Sequence, residues 1–137
     1  MGRRLAAVLL ADVVGYSRLM ERDEAGTLAA LKDRRSGVLE PVVRAHGGRI
    51  VKVMGDGVLV EFGSAVNAVM GALELQRRMA EADAALPEDR RIRLRIGINL
   101  GDVIGEGGDI YGEGVNIAAR LEGLAEPGGI CISANLF

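Results

Sequence analysis

Residues 49–62 read Arg49-Ile-Val-Lys-Val-Met-Gly-Asp-Gly-Val-Leu-Val-Glu-Phe62, and the fold turns on this stretch. Two short β-rich runs, 49–54 and 58–62, flank Gly55-Asp56-Gly57. Gly beside Asp between such runs signals a hairpin, because the turn needs backbone angles that Gly adopts without steric cost. Upstream, Leu5 to Val13 is a continuous apolar run, the pattern of a strand covered on both faces. Gly15-Tyr16-Ser17 breaks it, with Ser17 available as a helix N-cap. Apolar residues at helical spacing (Leu28, Leu31, Val38, Leu39, Val42, Val43) then predict one long helix or two abutting ones up to Ala45, with Gly37 and Pro41 inside. His46-Gly47-Gly48 supplies the stop.

Downstream of the hairpin, Ser64 caps a helix carrying Val66, Val69, Met70 and Leu73, which runs to about Ala85 and stops before Pro87. Arg91 to Leu100 alternates charged and apolar residues, a strand with one wet face. The Gly-rich segment Gly101–Gly108 holds Val103-Ile104 as a second short strand. Gly112 to Leu124 is a third helix, ended by Pro127-Gly128-Gly129, and Ile130 to Ser133 begins another strand. The order β-α-β-β-α-β-β-α-β predicts an α/β sandwich of the α+β kind. It has a mixed sheet with helices on one side, related to the ferredoxin-like split arrangement. No internal repeat, low-complexity tract or linker interrupts residues 1–137, so one domain is expected.

Composition narrows the function. A hydrophobic fraction of 49% and a charged fraction of 26% are those of an ordinary globular chain. A net charge of −2 argues against a general binder of nucleic acid or anionic membrane, which needs a positive field. Two Tyr, two Phe and no Trp supply few platforms for stacking bases. Arg3-Arg4 before Leu5–Ala11 has the beginnings of a secretory signal, but Asp12 interrupts the run and a buried strand is the better reading. Ala6 stands where myristoylation wants Ser or Thr. No stretch reaches the ~20 apolar residues of a membrane span, so no direct membrane insertion is expected. The lone Cys131 forms no internal disulfide, and a cytoplasmic setting is expected.

Two acidic residues sit where carboxylates are expensive: Asp12 at the end of the apolar strand and Asp56 at the hairpin tip. The topology sets the first strand beside the hairpin and brings them together. Two adjacent buried carboxylates repel unless a cation neutralises them, and a pair of divalent ions is the arrangement used for in-line displacement at phosphorus. Read alone, Asp12 is a helix-capping residue and Asp56 a plain turn residue. Val13-Val14-Gly15-Tyr16-Ser17 turns from strand into helix, so its backbone N–H groups offer an anion site beside the carboxylate. A nucleoside triphosphate requires that combination; any α/β protein also has such turns.

Four segments carry a family resemblance. Asp12-Val-Val-Gly-Tyr-Ser17, Lys52-Val-Met-Gly-Asp56-Gly, Arg95-Ile-Gly-Ile-Asn and Asp109-Ile-Tyr-Gly-Glu-Gly-Val-Asn116-Ile-Ala-Ala-Arg120 resemble, in order, the signatures of the class III nucleotidyl cyclase catalytic domain. The likeness runs from about Leu5 to Ser133. It implies the family's palm-type fold with a mainly antiparallel sheet. It implies that Asp12 and Asp56, with the Val13 carbonyl, hold two ions of Mg²⁺ or Mn²⁺, and that Val14, Gly15, Tyr16 and Ser17 lie along the triphosphate. Lys52 and Asp109 match the pair that reads the purine in adenylyl cyclases: Lys donates to N1 of adenine and Asp accepts from the 6-amino group. Guanylyl members carry Glu and Cys types there. Asn116 and Arg120 match the residues that position the ribose and stabilise charge at the α-phosphate.

The implied reaction is in-line attack of the ribose 3′-hydroxyl of ATP on its own α-phosphorus, giving cyclic AMP and pyrophosphate. It takes place at composite sites of a head-to-tail homodimer. Two departures are visible. Asp102 stands where many members have an Arg that grips the phosphates. The family also usually continues past Phe137 with a further hairpin strand and a Lys that contacts the triphosphate, so a domain cut short is expected. The alternative reading is a catalytically inactive cyclase-like module that binds nucleotide or dimerises. A diguanylate cyclase would need a Gly-Gly-Asp/Glu-Glu-Phe hairpin, and Met54-Gly55-Asp56-Gly57-Val58 is not one.

Overall fold

In the computed structural model, which describes residues 2–134, the hairpin forms as β2 (Gly48–Met54) and β3 (Gly57–Phe62). Gly55 takes the left-handed turn at φ 62°. The remaining elements are β1 (Gly2–Val13), α1 (Tyr16–Arg22), α2 (Glu24–Arg34), α3 (Glu40–Ala45), α4 (Ala65–Asp83), β4 (Leu94–Glu106), β5 (Asp109–Tyr111), α5 (Glu113–Leu124) and β6 (Ile130–Ile132). The sheet order is β2-β3-β1-β4-β5, and β6 lies off this path beside β4. All pairings are antiparallel except β4 with β6. The mixed, mainly antiparallel sheet is as the sequence predicts. The expectations at Met1 and at the 135–137 end lie outside the described residues.

Strand β1 is central and buried on both faces, as its unbroken apolar run requires. Ala7, Leu9, Ala11 and Val13 face Val42 and Val43 of α3 and Ala68, Ala72, Leu75 and Met79 of α4. Ala6, Val8 and Leu10 face the other way, onto Leu59, Val103, Ile110 and Ala118 of α5. The helices therefore do not all lie on one side. The first four cover one face, and α5 covers the other alone.

Two local expectations are corrected, and of the one-helix and two-helix alternatives before Ala45 the second is observed. Val103-Ile104 is not a separate strand, because β4 runs unbroken to Glu106 and the short partner strand is Asp109–Tyr111. Gly101 marks a close approach of α5 rather than a turn: a Cβ on it would stand 2.6 Å from Asn99 Nδ2 and 3.3 Å from Gly114 Cα at the start of α5. The cap of α1 is Gly15, at φ 67°, and not Ser17. The long helical stretch is broken at Asp23, whose side chain accepts from Gly26 N to cap α2.

Between α2 and α3 lies a π-helical turn, Arg35–Leu39. Pro41 has no N–H for the Gly37 carbonyl four residues back, and that carbonyl accepts from Arg78 of α4 at 3.2 Å instead.

Candidate active site

On the α5 side of the sheet an open cleft of about 450 Å³ is lined by Asp12, Lys52, Asp56, Asn116 and Glu122, with Leu10, Leu59 and Val115 as its apolar floor. The register of β1 on β3 ends at Ala11 opposite Val58, which sets Asp12 beside the hairpin turn. Gly57 lies against that junction: a Cβ there would stand 3.9 Å from Asp12 Cβ, an ordinary contact. Asp56 Oδ2 accepts from the Val13 amide at 3.3 Å, tying the hairpin tip to the end of β1. The Val13 side chain belongs to the core on the opposite face.

Asp12 Oδ1 is buried and, among the described residues, has no hydrogen-bond partner. A buried carboxylate oxygen without a donor is costly, so a hard cation suits it. Opposing it is a residue that sequence reasoning missed. Glu122 of α5 has its pKa pushed up to about 7 by burial, then by Asp12, with a smaller contribution from Asp56, while Arg95 pulls the other way. Arg95 lies directly across from Asp12 in the β1–β4 register. Val115, Ala119 and Glu122 recur at helical spacing, and only the docking of α5 shows that this stripe faces the cleft. Among the described residues no group of three His, Cys, Asp or Glu is arranged to hold an ion. The donor set fits Mg²⁺ or Mn²⁺ held by two carboxylates, with substrate phosphates and water completing the shell.

Lys52 reaches the cleft through an irregularity. Strict alternation from Arg49 would turn Lys52 toward the helices of the other face. A bulge between Ile50 and Lys52 shifts the register so that Lys52 pairs with Leu59, a cleft-floor residue. Such bulges re-aim side chains beside functional sites. Lys52 Nζ donates to Asp109 Oδ2 at 3.1 Å, and the two side chains stay 40% and 44% exposed. The Lys52 bond, followed by the Ile110 amide donating at 2.7 Å to the other oxygen, holds the Asp109 carboxyl below the usual carboxylate range.

Helix α5 lies against β4 almost backbone to backbone. A Cβ on Gly97 would come within 2.3 Å of Glu122 N, and one on Gly114 within 2.4 Å of the Asp102 carbonyl. Buried Asn99 donates to the Gly114 carbonyl at 3.0 Å. This docking carries Asn116 into the cleft. Arg120, one turn on, is exposed and does not line the cleft of its own chain. Val14, Gly15, Tyr16 and Ser17 form the passage into α1 and also lie off that lining. The Val14 amide already donates to the Arg93 carbonyl at 2.8 Å, and Tyr16 packs against the core. Asp102 is exposed and lines a separate recess with Arg3 and Asn99. Asp12, Lys52, Asp56 and Asn116 thus line one cleft of one chain, Asp109 is joined to it through Lys52 without lining it, and Arg120 and the 14–17 segment lie outside the lining.

Comparisons with known proteins identify the family and the fold. The family described as adenylate and guanylate cyclase catalytic domain matches residues 4–136. The chain is 63% identical over 131 residues to "Putative adenylate cyclase 3" of Rhizobium meliloti (strain 1021), a match covering 96% of this chain and 22% of that protein. The chain therefore spans about a fifth of the length of this curated relative. A crystal structure of an adenylate/guanylate cyclase/hydrolase from Silicibacter pomeroyi superposes with a TM-score of 0.90 at 47% identity, covering 99% of this chain and 79% of that one. The guanylyl cyclase Cya2 superposes at 0.83 with 28% identity, covering 98% and 77%. No described helix is long and apolar enough to cross a membrane.

Proposed function

The chain belongs to the adenylate and guanylate cyclase catalytic-domain family, and from that premise we propose that it is an adenylate cyclase domain. It converts ATP to 3′,5′-cyclic AMP and pyrophosphate at composite sites of a head-to-tail homodimer, in a cytoplasmic setting. The observation that carries this reading is the Lys52–Asp109 pair at the cleft rim. It presents one donor and one acceptor, which complement the N1 acceptor and 6-amino donor of adenine. Guanine shows the reverse pattern, O6 and N1–H.

Asp12 and Asp56 would hold the divalent cations, Mg²⁺ or Mn²⁺, and the buried, unpartnered Oδ1 of Asp12 supports that assignment. When bound, such ions acidify the 3′-hydroxyl and shield the triphosphate. Asn116 orients the ribose. Arg120, exposed one turn beyond Asn116 and outside the lining of its own cleft, reaches the α-phosphate of a nucleotide held by the partner's carboxylates and stabilises the charge that develops there. The amides of Gly15, Tyr16 and Ser17 at the start of α1, lacking intrahelical partners, lie along the phosphates.

A second reading, a cyclase-like module that binds nucleotide without turning it over, is favoured by one observation: Asp102 is acidic and lies outside the cleft. Incubating the purified chain with ATP or GTP in Mn²⁺ or Mg²⁺ and resolving the products separates the two. Cyclic AMP in excess of cyclic GMP is the expected outcome. Saturable ATP binding with no cyclic product selects the module.

A further inference from the structure

The sheet order puts β2 and β5 at opposite edges, yet the two edges touch. Lys52 of β2 meets Asp109 of β5, and Arg49 Nη1 donates to the Gly108 carbonyl at 2.8 Å. The sheet curls until its margins close, and the purine-reading pair straddles the seam. The hairpin that delivers Asp109 has little packing at its tip. Gly107 and Gly108 both sit at positive φ, 59° and 87°, and a Cβ on either would meet nothing within 4 Å.

The Arg49 side chain is 46% exposed, and its guanidinium is bound from behind by Glu61. Its Nε and Nη2 donate to Glu61 Oε1 at 3.2 and 3.0 Å, leaving Nη1 for the Gly108 carbonyl. Glu61, on β3 opposite Arg49, has a side chain only 11% exposed and is gripped from its other flank by Arg4 of β1. Three strands therefore fix one guanidinium, and that guanidinium fixes the carbonyl next to Asp109.

We infer that Arg49, anchored by Glu61, is a positioning residue for purine selection: it holds the β4–β5 turn so that Asp109 meets Lys52. The inference rests on the reading that Lys52 and Asp109 contact the base. A Lys at position 49 keeps the charge beside Glu61 but lacks the planar fork needed to hold Glu61 and Gly108 together.

The test compares Arg49→Ala, Arg49→Lys, Glu61→Gln and Lys52→Ala in the full chain. Steady-state kinetics with ATP and GTP are combined with carboxyl NMR of Asp109 in the metal-free protein. For both Arg49 variants the expected result is a KM for ATP raised roughly tenfold, as for one lost charge-assisted hydrogen bond, with kcat held and the ATP-over-GTP preference reduced. The Asp109 carboxyl titration moves up toward the ordinary range. Glu61→Gln shifts both readouts the same way and guards against a folding defect peculiar to position 49. If Lys52→Ala lowers the preference while Arg49→Ala and Glu61→Gln leave KM and the Asp109 titration unmoved, the inference is overturned and the purine reading survives. If Lys52→Ala also leaves the preference untouched, the purine reading fails and the role of Arg49 falls with it.

Discussion

At Glu122 the structure sets a carboxyl against two others, and the consequence is measurable without substrate. Its pKa is raised to about 7 from an ordinary 4.5, so the folded state binds this proton more tightly than the unfolded chain. The stability it supports is complete below about pH 4.5 and is lost as pH rises through about 7. Glu61 and Asp109 are shifted the other way, Glu61 chiefly by Arg4 and Asp109 chiefly by Lys52. Their contributions are lost only as pH falls below the ordinary carboxylate range. The expected result is that the Tm of the chelator-treated protein declines between pH 5 and 8, that Glu122→Gln flattens the decline, and that Mn²⁺ flattens it in the unmutated chain. A decline identical in Glu122→Gln would show that Glu122 is not its source.

Asp12 was legible in the sequence because it interrupts an apolar strand, and Asp56 because the hairpin turn that it helps to make lies beside that strand; read singly, each has an ordinary structural role. Glu122 was not legible, since a charged residue late in a helix looks like any solvated position until the helix is docked. Lys52 was legible by motif, but its direction was not. Alternation points it to the wrong face, and the bulge at Val51 corrects this.

Among the elements, the α5–β4 contact carries the site. Gly97→Ala drives a methyl into the backbone of α5 at Glu122 and Ala118. Overpacking of this kind costs about 1–3 kcal/mol, and urea denaturation should show at least that, together with lost turnover as Asn116 is displaced. The glycines of this region also explain what the sequence concealed. Gly97, Gly101 and Gly105 stay in the strand, whereas Gly107 and Gly108 make the turn. Nothing local distinguishes the two groups, because the difference lies in which of them α5 and the neighbouring strands approach.

On the other face, Asp83 fastens α4 to the chain around it. It accepts from Arg34 at 2.7 Å and from the Ile92 amide at 3.0 Å, and the two side chains of the pair are 7% and 13% exposed. Asp83→Ala leaves a guanidinium in the interior without a counter-charge, and a loss of about 3–5 kcal/mol is expected by the same denaturation measurement. A change under 1 kcal/mol would mean that the pair is solvated in solution.

Over the whole molecule, the sheet's central strand, its hairpin and its helices were readable from apolar spacing and turn chemistry, since each local preference agrees with the final architecture. The placement of α5 alone on one face and the closing of the sheet edges across Arg49 and Lys52 are tertiary events, and they decide where the site opens. That opening leaves Asp12 in the cleft and Arg120 outside it. The proposal that the two act together therefore assigns them to different copies of the chain. The direct measurement is complementation between Asp12→Ala and Arg120→Ala chains, each inactive alone, mixed in equal amounts and assayed for cyclic AMP from ATP with Mn²⁺. Random pairing gives half of the dimers one intact site, so recovery of about a quarter of the unmutated activity is expected. A mixture that stays at the level of its parents, while the unmutated chain turns over, would contradict the composite site.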